Sequence, residues 1–377
     1  MFLKKITILN YKNISDKTLT FSATINCFTG NNGAGKTNLL DAIYHLAMGR
    51  SYFSSNALQN IQHNEEFYLI EGFFENEQRQ EQIVCSLKKG QKKVLKHNGK
   101  PYERIADHLG KYPMVIISPA DRDLITEGSE TRRKFLDSII AQTDREYVEL
   151  LLRYNRLLLQ RNTLLKQIAE MGVAATNTLA VYDQQLAPIG QLIYQKRSDF
   201  MQLYEPLFCK QYSYIAGNTE RVALRYQSAM QHNNLATLLR ENYSKDLAAQ
   251  YTTTGIHKDD LLFEIEGFPI KKYGSQGQQK SFLIALKLSQ YELLKQQLQK
   301  KPIVLLDDIF DKLDDSRVRQ LVQLVTQGHF GQLFITDTHK ERTETVVQQI
   351  GLPYEMIEVR CEPQERQLKT KDSRSKN

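Results

Sequence analysis

The stretch Gly30-Asn31-Asn32-Gly33-Ala34-Gly35-Lys36-Thr37 fits the phosphate-loop pattern G-x-x-x-x-G-K-[ST] at every position, and it constrains this chain more than any other feature. The pattern requires a strand before it and a helix after it. Ile25-Asn26-Cys27-Phe28 reads as a short buried strand, and Leu39, Leu40, Ile43, Leu46 and Ala47 recur at helical spacing. In that setting the glycines let backbone N–H groups turn toward phosphate oxygens, and the helix beginning near Lys36 adds its positive end. Gly30, Asn31, Asn32, Gly33, Ala34, Gly35, Lys36 and Thr37 are therefore expected to hold a nucleoside triphosphate, ATP. Lys36 supplies a mobile positive charge and Thr37 puts its hydroxyl on Mg²⁺.

A second stretch completes such a site. Ile303-Val304-Leu305-Leu306-Asp307-Asp308 is four apolar residues ending in two carboxylates, the shape of a buried parallel strand. It reads as a Walker B strand in which Asp307 serves the Mg²⁺ and Asp308 orients or deprotonates a water for attack on the γ-phosphate. Asp311-Lys312-Leu313-Asp314 follows directly.

The rest of the chain bounds the setting. At 377 residues and 41% hydrophobic content there is room for two or three compact units. No apolar run approaches the roughly 18–20 residues of a membrane helix. Met1-Phe2-Leu3-Lys4-Lys5 is not followed by a signal-peptide core, so a cytoplasmic protein without membrane contact is expected. Cys27, Cys85, Cys209 and Cys361 stand far apart with no C-x-x-C pair, which points to structural thiols rather than disulfides or zinc.

The net charge of +7 points to a polyanionic partner. Six lysines and no acid lie between Lys88 and Lys100, where Gly90 and Asn98-Gly99 read as hairpin turns. Lys88, Lys89, Lys92 and Lys93 are candidate DNA contacts. The tail from Arg366 to Asn377 carries five basic residues against one acid and reads as disordered. Solvated charge is the competing reading for both stretches.

In chain order, Leu3 to Leu9 reads as a strand ending in the turn Asn10-Tyr11-Lys12-Asn13, expected to flank the nucleotide. Strand-like pieces follow at Phe67–Phe74, Gln82–Leu87 and Met114–Ser118. From Ser129 the texture becomes helical. Thr143-Asp144-Arg145-Glu146 reads as a capping box opening a helix from Tyr147 to Ala169, with Arg153, Arg156 and Arg161 as further candidate DNA contacts. A second helical pattern runs from Thr178 to Tyr204 with an interruption at Pro188, and a shorter one covers Leu235 to Ala249. Strand texture returns at Leu261–Ile265.

Ser275-Gln276-Gly277-Gln278 opens another helix and resembles the signature of ABC-type ATPases, in which the helix N-terminus accepts a phosphate. Ser275 is the candidate for that role. Phosphate loop, Ser-x-Gly-Gln, a Walker B strand about 30 residues on and Asp-x-Leu-Asp form an order shared by transport, repair and chromosome-structure ATPases. About 240 residues separate Lys36 from Ser275, far more than in a transporter ATPase, so the head is interrupted by an insert. That insert is too short for an SMC coiled coil.

Several stretches then resemble the RecF family of bacterial DNA replication and repair proteins. They are Thr37 to Tyr44, Ser118-Pro119-Ala120-Asp121, Gly128-Ser129, Arg132 to Asp137, Gln160-Arg161-Asn162 and Gly255 to Leu261. Ile256 stands where a proline is expected, an arginine usual near Phe53–Ser54 is absent, and Tyr273-Gly274 precedes the signature serine where a leucine is commoner. His339 stands slightly late for the ABC switch histidine, and neither that switch nor the glutamine joining head to insert is assigned. His257 is open between a γ-phosphate or interface role and a hydrogen bond to its acidic neighbours.

The resemblance implies an α/β ABC-type head with a mixed sheet and flanking helices, interrupted by a mostly helical arm. The expected divisions are 1–125 and 251–362 for the head, 126–250 for the arm and 363–377 for the basic tail. It also implies ATP-dependent homodimerisation, binding to single-stranded, gapped or junction DNA, slow ATP hydrolysis, cooperation with RecR and RecO in loading recombinase, and support of the SOS response. The alternatives are an SMC-like or nuclease-associated repair ATPase, which lacks support from any long heptad run or metal cluster, and a transporter motor, which the long insert disfavours.

Overall fold

The computed structural model describes residues 1–76, 79–171, 176–217, 220–308 and 330–360. Asp311-Lys312-Leu313-Asp314, Cys361 and the tail from 363 to 377 lie outside the described residues. The chain divides into two compact units, Met1–Tyr102 with Ile303–Asn377, and Glu103–Pro302. These breaks fall at other points than the expected divisions at 125/126 and 250/251. The phosphate loop and Asp307 share one unit, and Ser275 belongs to the other.

The first unit begins with β1 (Phe2–Tyr11), β2 (Ile14–Thr20), β3 (Ile25–Thr29), α1 (Lys36–Met48), β4 (Phe67–Asn76), β5 (Arg79–Lys88), β6 (Val94–His97) and β7 (Lys100–Pro101). Six of these strands make an antiparallel sheet in the order β2-β1-β4-β5-β6-β7. Alternate residues of β4 are buried, as expected for a sheet with one face on a core. Asn98 and Gly99 both take positive φ, 48° and 78°, giving the two-residue hairpin turn expected from that dipeptide.

The second unit contains β8 (Met114–Ile117), α2 (Asp123–Thr126), α3 (Ser129–Thr143), α4 (Arg145–Met171), α5 (Thr176–Ala216), β9 (Val222–Gln227), α6 (Leu235–Glu241), α7 (Tyr243–Ala249), β10 (Asp260–Ile265), β11 (Phe268–Pro269), α8 (Ile270–Tyr273) and α9 (Gln276–Leu298). Three sequence expectations change here. α5 runs unbroken through Pro188 and Pro206, because packing against α4, α6 and α9 holds its axis where a proline removes one backbone bond. The stretch Leu235–Ala249 is two helices separated at Asn242. The cap of α4 is Asp144, whose carboxylate accepts from Tyr147 N at 2.9 Å, while Thr143 ends α3 with its hydroxyl on the Ile140 carbonyl at 3.1 Å.

Buried cations join the helices of this unit. Arg161 is fully buried: Nε donates to Asp183 at 2.6 Å, and Nη1 donates to Asp246 at 2.7 Å and to the Thr252 hydroxyl at 2.8 Å. It therefore cannot serve as a surface contact for DNA, and its removal from that role corrects the sequence reading. Arg197, 1% exposed, reaches Asp137 at 2.8 Å, Asp259 at 3.2 Å, the Ile256 carbonyl at 2.8 Å and the Tyr147 hydroxyl at 3.0 Å. Arg132 makes a two-pronged pair with Asp260 at 2.8 and 2.9 Å, and Arg133 donates to the Asp259 carbonyl. The arginine block at the start of α3 and the histidine block before β10 are thus two sides of one ion-pair cluster.

The chain returns to the first unit with β12 (Ile303–Leu306), β13 (Leu333–Asp337), α10 (Lys340–Ile350) and β14 (Tyr354–Glu358). β14, β3, β13 and β12 lie side by side in that order with parallel pairings. Every residue of β3, β12 and β13 is buried, the pattern of strands covered on both faces. Among the described residues no helix is long and apolar enough to cross a membrane.

Arg197→Met tests the cluster. Removing one partner of a buried pair costs about 3–5 kcal/mol, so urea unfolding should show a loss of that order. A loss under about 1 kcal/mol, the range of exposed pairs, would contradict it.

Candidate functional site

The phosphate loop connects β3 to α1 and is built by left-handed backbone at Gly33 (φ 80°) and Gly35 (φ 102°), the latter directly preceding the helix. Gly30 is required by proximity: a Cβ there would stand 2.2 Å from the Val359 carbonyl oxygen, just beyond β14. From the β1–β2 turn, Asn13 Nδ2 donates to the Gly33 carbonyl at 3.3 Å, and Asn38 Nδ2 donates to Asn13 Oδ1 at 2.7 Å. This turn flanks the loop, in keeping with its place in the sequence. Lys36 Nζ donates to the Gly30 and Asn31 carbonyls at 2.7 and 3.1 Å, which holds its ammonium within the curl.

Asp307 follows β12 and is 4% exposed. Its Oδ1 accepts two hydroxyls, from Thr37 at 2.9 Å and from Thr336 of β13 at 2.9 Å. The Thr336 oxygen in turn accepts the backbone N–H of Asp308 at 2.9 Å. Asp308 sits at φ 45°, a left-handed conformation that few residues other than Gly, Asn and Asp adopt. Thr37 and Asp307 offer only oxygen donors side by side, the ligand chemistry a hard cation such as Mg²⁺ prefers. Oxygen ligands from a helix start and a strand end therefore fit that ion.

A buried polar cluster supports α1 from behind. Asp41 accepts the Tyr11 hydroxyl at 2.6 Å, the Ser51 hydroxyl at 2.6 Å and the Tyr52 N–H at 2.7 Å, and Lys12 Nζ lies 2.6 Å away. His45 Nδ1 and Nε2 meet the hydroxyls of Tyr11 and Tyr68 at 3.2 Å each. Burial pushes the His45 pKa down to about 3, so this ring is neutral. Sequence reading placed the turn holding Asn13 beside the nucleotide but missed Asp41, Thr336 and Val359 as parts of the site. Thr336 and Val359 come from a strand, or from just beyond one, far along the chain.

In the second unit, Ser275 caps α9. Its hydroxyl accepts the Gln278 N–H at 3.2 Å, and its own N–H goes to Gln278 Oε1 at 2.7 Å, a reciprocal box that fixes the start of a 23-residue helix. Gln278 Nε2 also donates to Glu220 at 2.8 Å. Ser275 is exposed at this helix start.

His257 is held by Tyr154, whose hydroxyl lies 3.0 Å from Nδ1, and by the Thr252 carbonyl 3.0 Å from Nε2. Its partners are a phenol and a backbone carbonyl rather than the neighbouring acids. Burial, aided by Lys258 and Arg133, lowers its pKa to about 4, so it is a neutral structural histidine at pH 7. Of the candidate DNA contacts, Lys88, Lys89, Lys92 and Lys93 are exposed around the β5–β6 connection. Lys89 pairs with Glu66 at 3.2 Å and Lys93 donates to the Gly49 carbonyl. Arg153 and Arg156 are exposed on α4.

A phosphate loop after a buried parallel strand, a carboxylate at the end of a nearby strand and a capped Ser-x-Gly-Gln helix define an ABC-type ATPase head. A solved SMC head bound to the winged-helix domain of ScpA shares the fold, with a TM-score of 0.53 at 15% identity over 92% of both chains. Residues 2–359 match the family described as RecF/RecN/SMC N terminal domain. The DNA replication and repair protein RecF of Flavobacterium johnsoniae is 55% identical over 95% of this chain and 99% of its own length. A solved structure of the recombination mediator protein RecF with ATP, in the RecFOR pathway, has a TM-score of 0.84 at 32% identity, covering 90% of this chain and 92% of that one. The chain belongs to the RecF family of DNA replication and repair proteins.

Gly30→Ala forces packed backbone to shift, at a cost of about 1–3 kcal/mol. Urea unfolding of the variant should show a loss of that order, and unchanged stability would contradict the close approach to Val359. For His257, the unfolded state takes up a proton as pH falls below 6.5 that the folded state refuses until about 4. Stability should be full above pH 6.5 and decline between 6.5 and 4. His257→Gln should flatten that decline in urea titrations at a series of pH values, and an equally steep decline would contradict a neutral buried ring.

Proposed function

We propose that this protein is an ATP-driven switch in recombinational DNA repair and replication-fork maintenance, closing as a homodimer on DNA when ATP is bound and opening after slow hydrolysis. The observation that carries this reading is the pair Thr37–Asp307, 2.9 Å apart, joining a complete phosphate loop to a Walker B carboxylate. Residues 1–125 and 251–362 act as the head and 126–250 as its arm.

In this reading the loop N–H groups and Lys36 hold the β- and γ-phosphates, and α1 contributes the positive end of its dipole. Thr37 and Asp307 are the residues that would hold Mg²⁺, which when bound neutralises developing phosphate charge. Asp308 orients the attacking water and takes its proton. Thr336 keeps Asp307 and Asp308 in register by accepting the N–H of one while donating to the carboxylate of the other. One chain carries one phosphate loop and one signature, so Ser275 of a second copy caps the γ-phosphate held by the first, in an arrangement of two-fold symmetry. ATP then favours the dimer through contacts that ADP lacks.

DNA that is single-stranded, gapped or at a junction is the proposed substrate, held by phosphate contacts from Lys88, Lys89, Lys92, Lys93, Arg153 and Arg156. RecR and RecO are the proposed partners in loading recombinase. Neutralising three of the lysines together should weaken binding to all sequences alike and flatten the slope of log affinity against log salt. An unchanged slope would assign them to solvated surface.

The switch itself is tested by two variants. Asp308→Asn should slow hydrolysis far more than it weakens ATP binding, whereas equal losses would argue against a water-orienting carboxylate. Ser275→Arg should bind ATP as the parent does but sediment as a monomer with a non-hydrolysable analogue that dimerises the parent. Mixing inactive Ser275→Arg with inactive Lys36→Ala should restore ATPase activity by forming one intact composite site. A parent that hydrolyses ATP strictly as a monomer at every concentration would remove the composite site.

A further inference from the structure

The β10–β11 turn and α8 bring two aromatic rings to the surface just ahead of Ser275. Phe268 is 54% and Tyr273 61% exposed, and their ring centroids lie 5.0 Å apart with 44° between planes. Burying such rings fully is worth about 1.5–3 kcal/mol each. Here Ile270, between them in sequence and 1% exposed, enters the core while the rings cover one another.

Cations stand close to the pair. Lys271 and Lys272 are both exposed, and Lys272 makes no ion pair among the described residues. Arg221 stands beside the turn, its backbone bonded twice to Glu266: its N–H donates to Glu266 Oε1 at 2.6 Å, and its carbonyl accepts the Glu266 N–H at 2.7 Å. Glu266 is the only acid from residue 266 to residue 273, and its carboxylate is engaged by that N–H.

Exposed rings with exposed cations nearby match the chemistry of unpaired nucleotides, which present π-faces for stacking and phosphates for ammonium and guanidinium groups. A duplex keeps its base faces inside the stack and would meet only the cations. We propose that Phe268 and Tyr273, with Lys271, Lys272 and Arg221 around them, form a stacking platform for single-stranded DNA. The platform rests on the reading that this protein binds DNA, and it adds base contacts to what would otherwise be phosphate contacts alone. Tyr273 lies two residues before Ser275, so a strand seated here adjoins the segment that opens the signature helix.

The chain contains no tryptophan, so Tyr273→Trp places a single fluorophore in an otherwise intact protein. Its emission should fall on titration with oligo-dT, and stay level with a blunt duplex of equal length or with a non-hydrolysable ATP analogue alone. Phe268→Ala combined with Tyr273→Ala should weaken oligo-dT binding roughly tenfold or more, with duplex affinity and thermal unfolding unchanged. Oligo-dT binding by the reporter without any emission change, and a double variant that binds it as the parent does, would overturn the platform while leaving DNA binding in place. A parent that binds neither single-stranded nor duplex DNA would sink the underlying reading and the platform with it. Emission that responds to the ATP analogue and not to oligo-dT would assign the rings to a seam between copies and overturn the proposal.

Discussion

One carboxylate oxygen holds the nucleotide end of the first unit together. Asp307 Oδ1 accepts hydroxyls from Thr37 at the start of α1 and from Thr336 in β13, so the phosphate-loop helix and two parallel strands converge on a single atom. The carboxylate is nearly buried, and both hydroxyls offset its desolvation. Because Thr336 also accepts the Asp308 N–H, the same tie sets the backbone from which the second carboxylate projects. Asn13 and the carbonyl of Val359 close the loop from its other sides.

The second unit solves a different problem, which is to hold its long helices against one another. Arg161 and Arg197 do this from the interior, each gathering acceptors from several segments into one guanidinium. Burial works against the charge of Arg197, but the carboxylates of Asp137 and Asp259 keep it protonated well beyond its ordinary range. Such pairs add little net stability compared with apolar packing, yet they penalise any register in which the cation loses its partners. The capping box at Ser275 and the Glu220–Gln278 bond then fix the signature end of α9.

Much of this was legible in the sequence, and the reasons differ by residue. The phosphate loop was legible because eight consecutive residues carry its whole geometry and the flanking apolar pattern supplies strand and helix. Asp307 was legible because four apolar residues ending in two acids suit a buried strand that carries a carboxylate to a cation, and suit little else. Thr336 and Val359 were not, since their roles exist only once β13 and β14 lie beside β3. Arg161 was misread because a cation on an amphipathic helix looks the same in sequence whether it faces water or three acceptors inside the fold. Pro188 was misread because local propensity ignores the packing that carries α5 through it. Thr143 lost its cap to Asp144, one residue along, where a carboxylate serves equally well.

The dependence of the site on that carboxylate is measured most directly by ATP affinity with and without Mg²⁺ in Thr336→Val, an almost isosteric change that deletes one hydroxyl. Calorimetric titration should show affinity without Mg²⁺ close to the parent, because Lys36 and the loop N–H groups are untouched. The gain in affinity on adding Mg²⁺ should shrink markedly, because Asp307 is no longer held beside Thr37. A variant whose Mg²⁺-dependent gain equals the parent's, or one that loses affinity equally with and without the ion, would contradict the account.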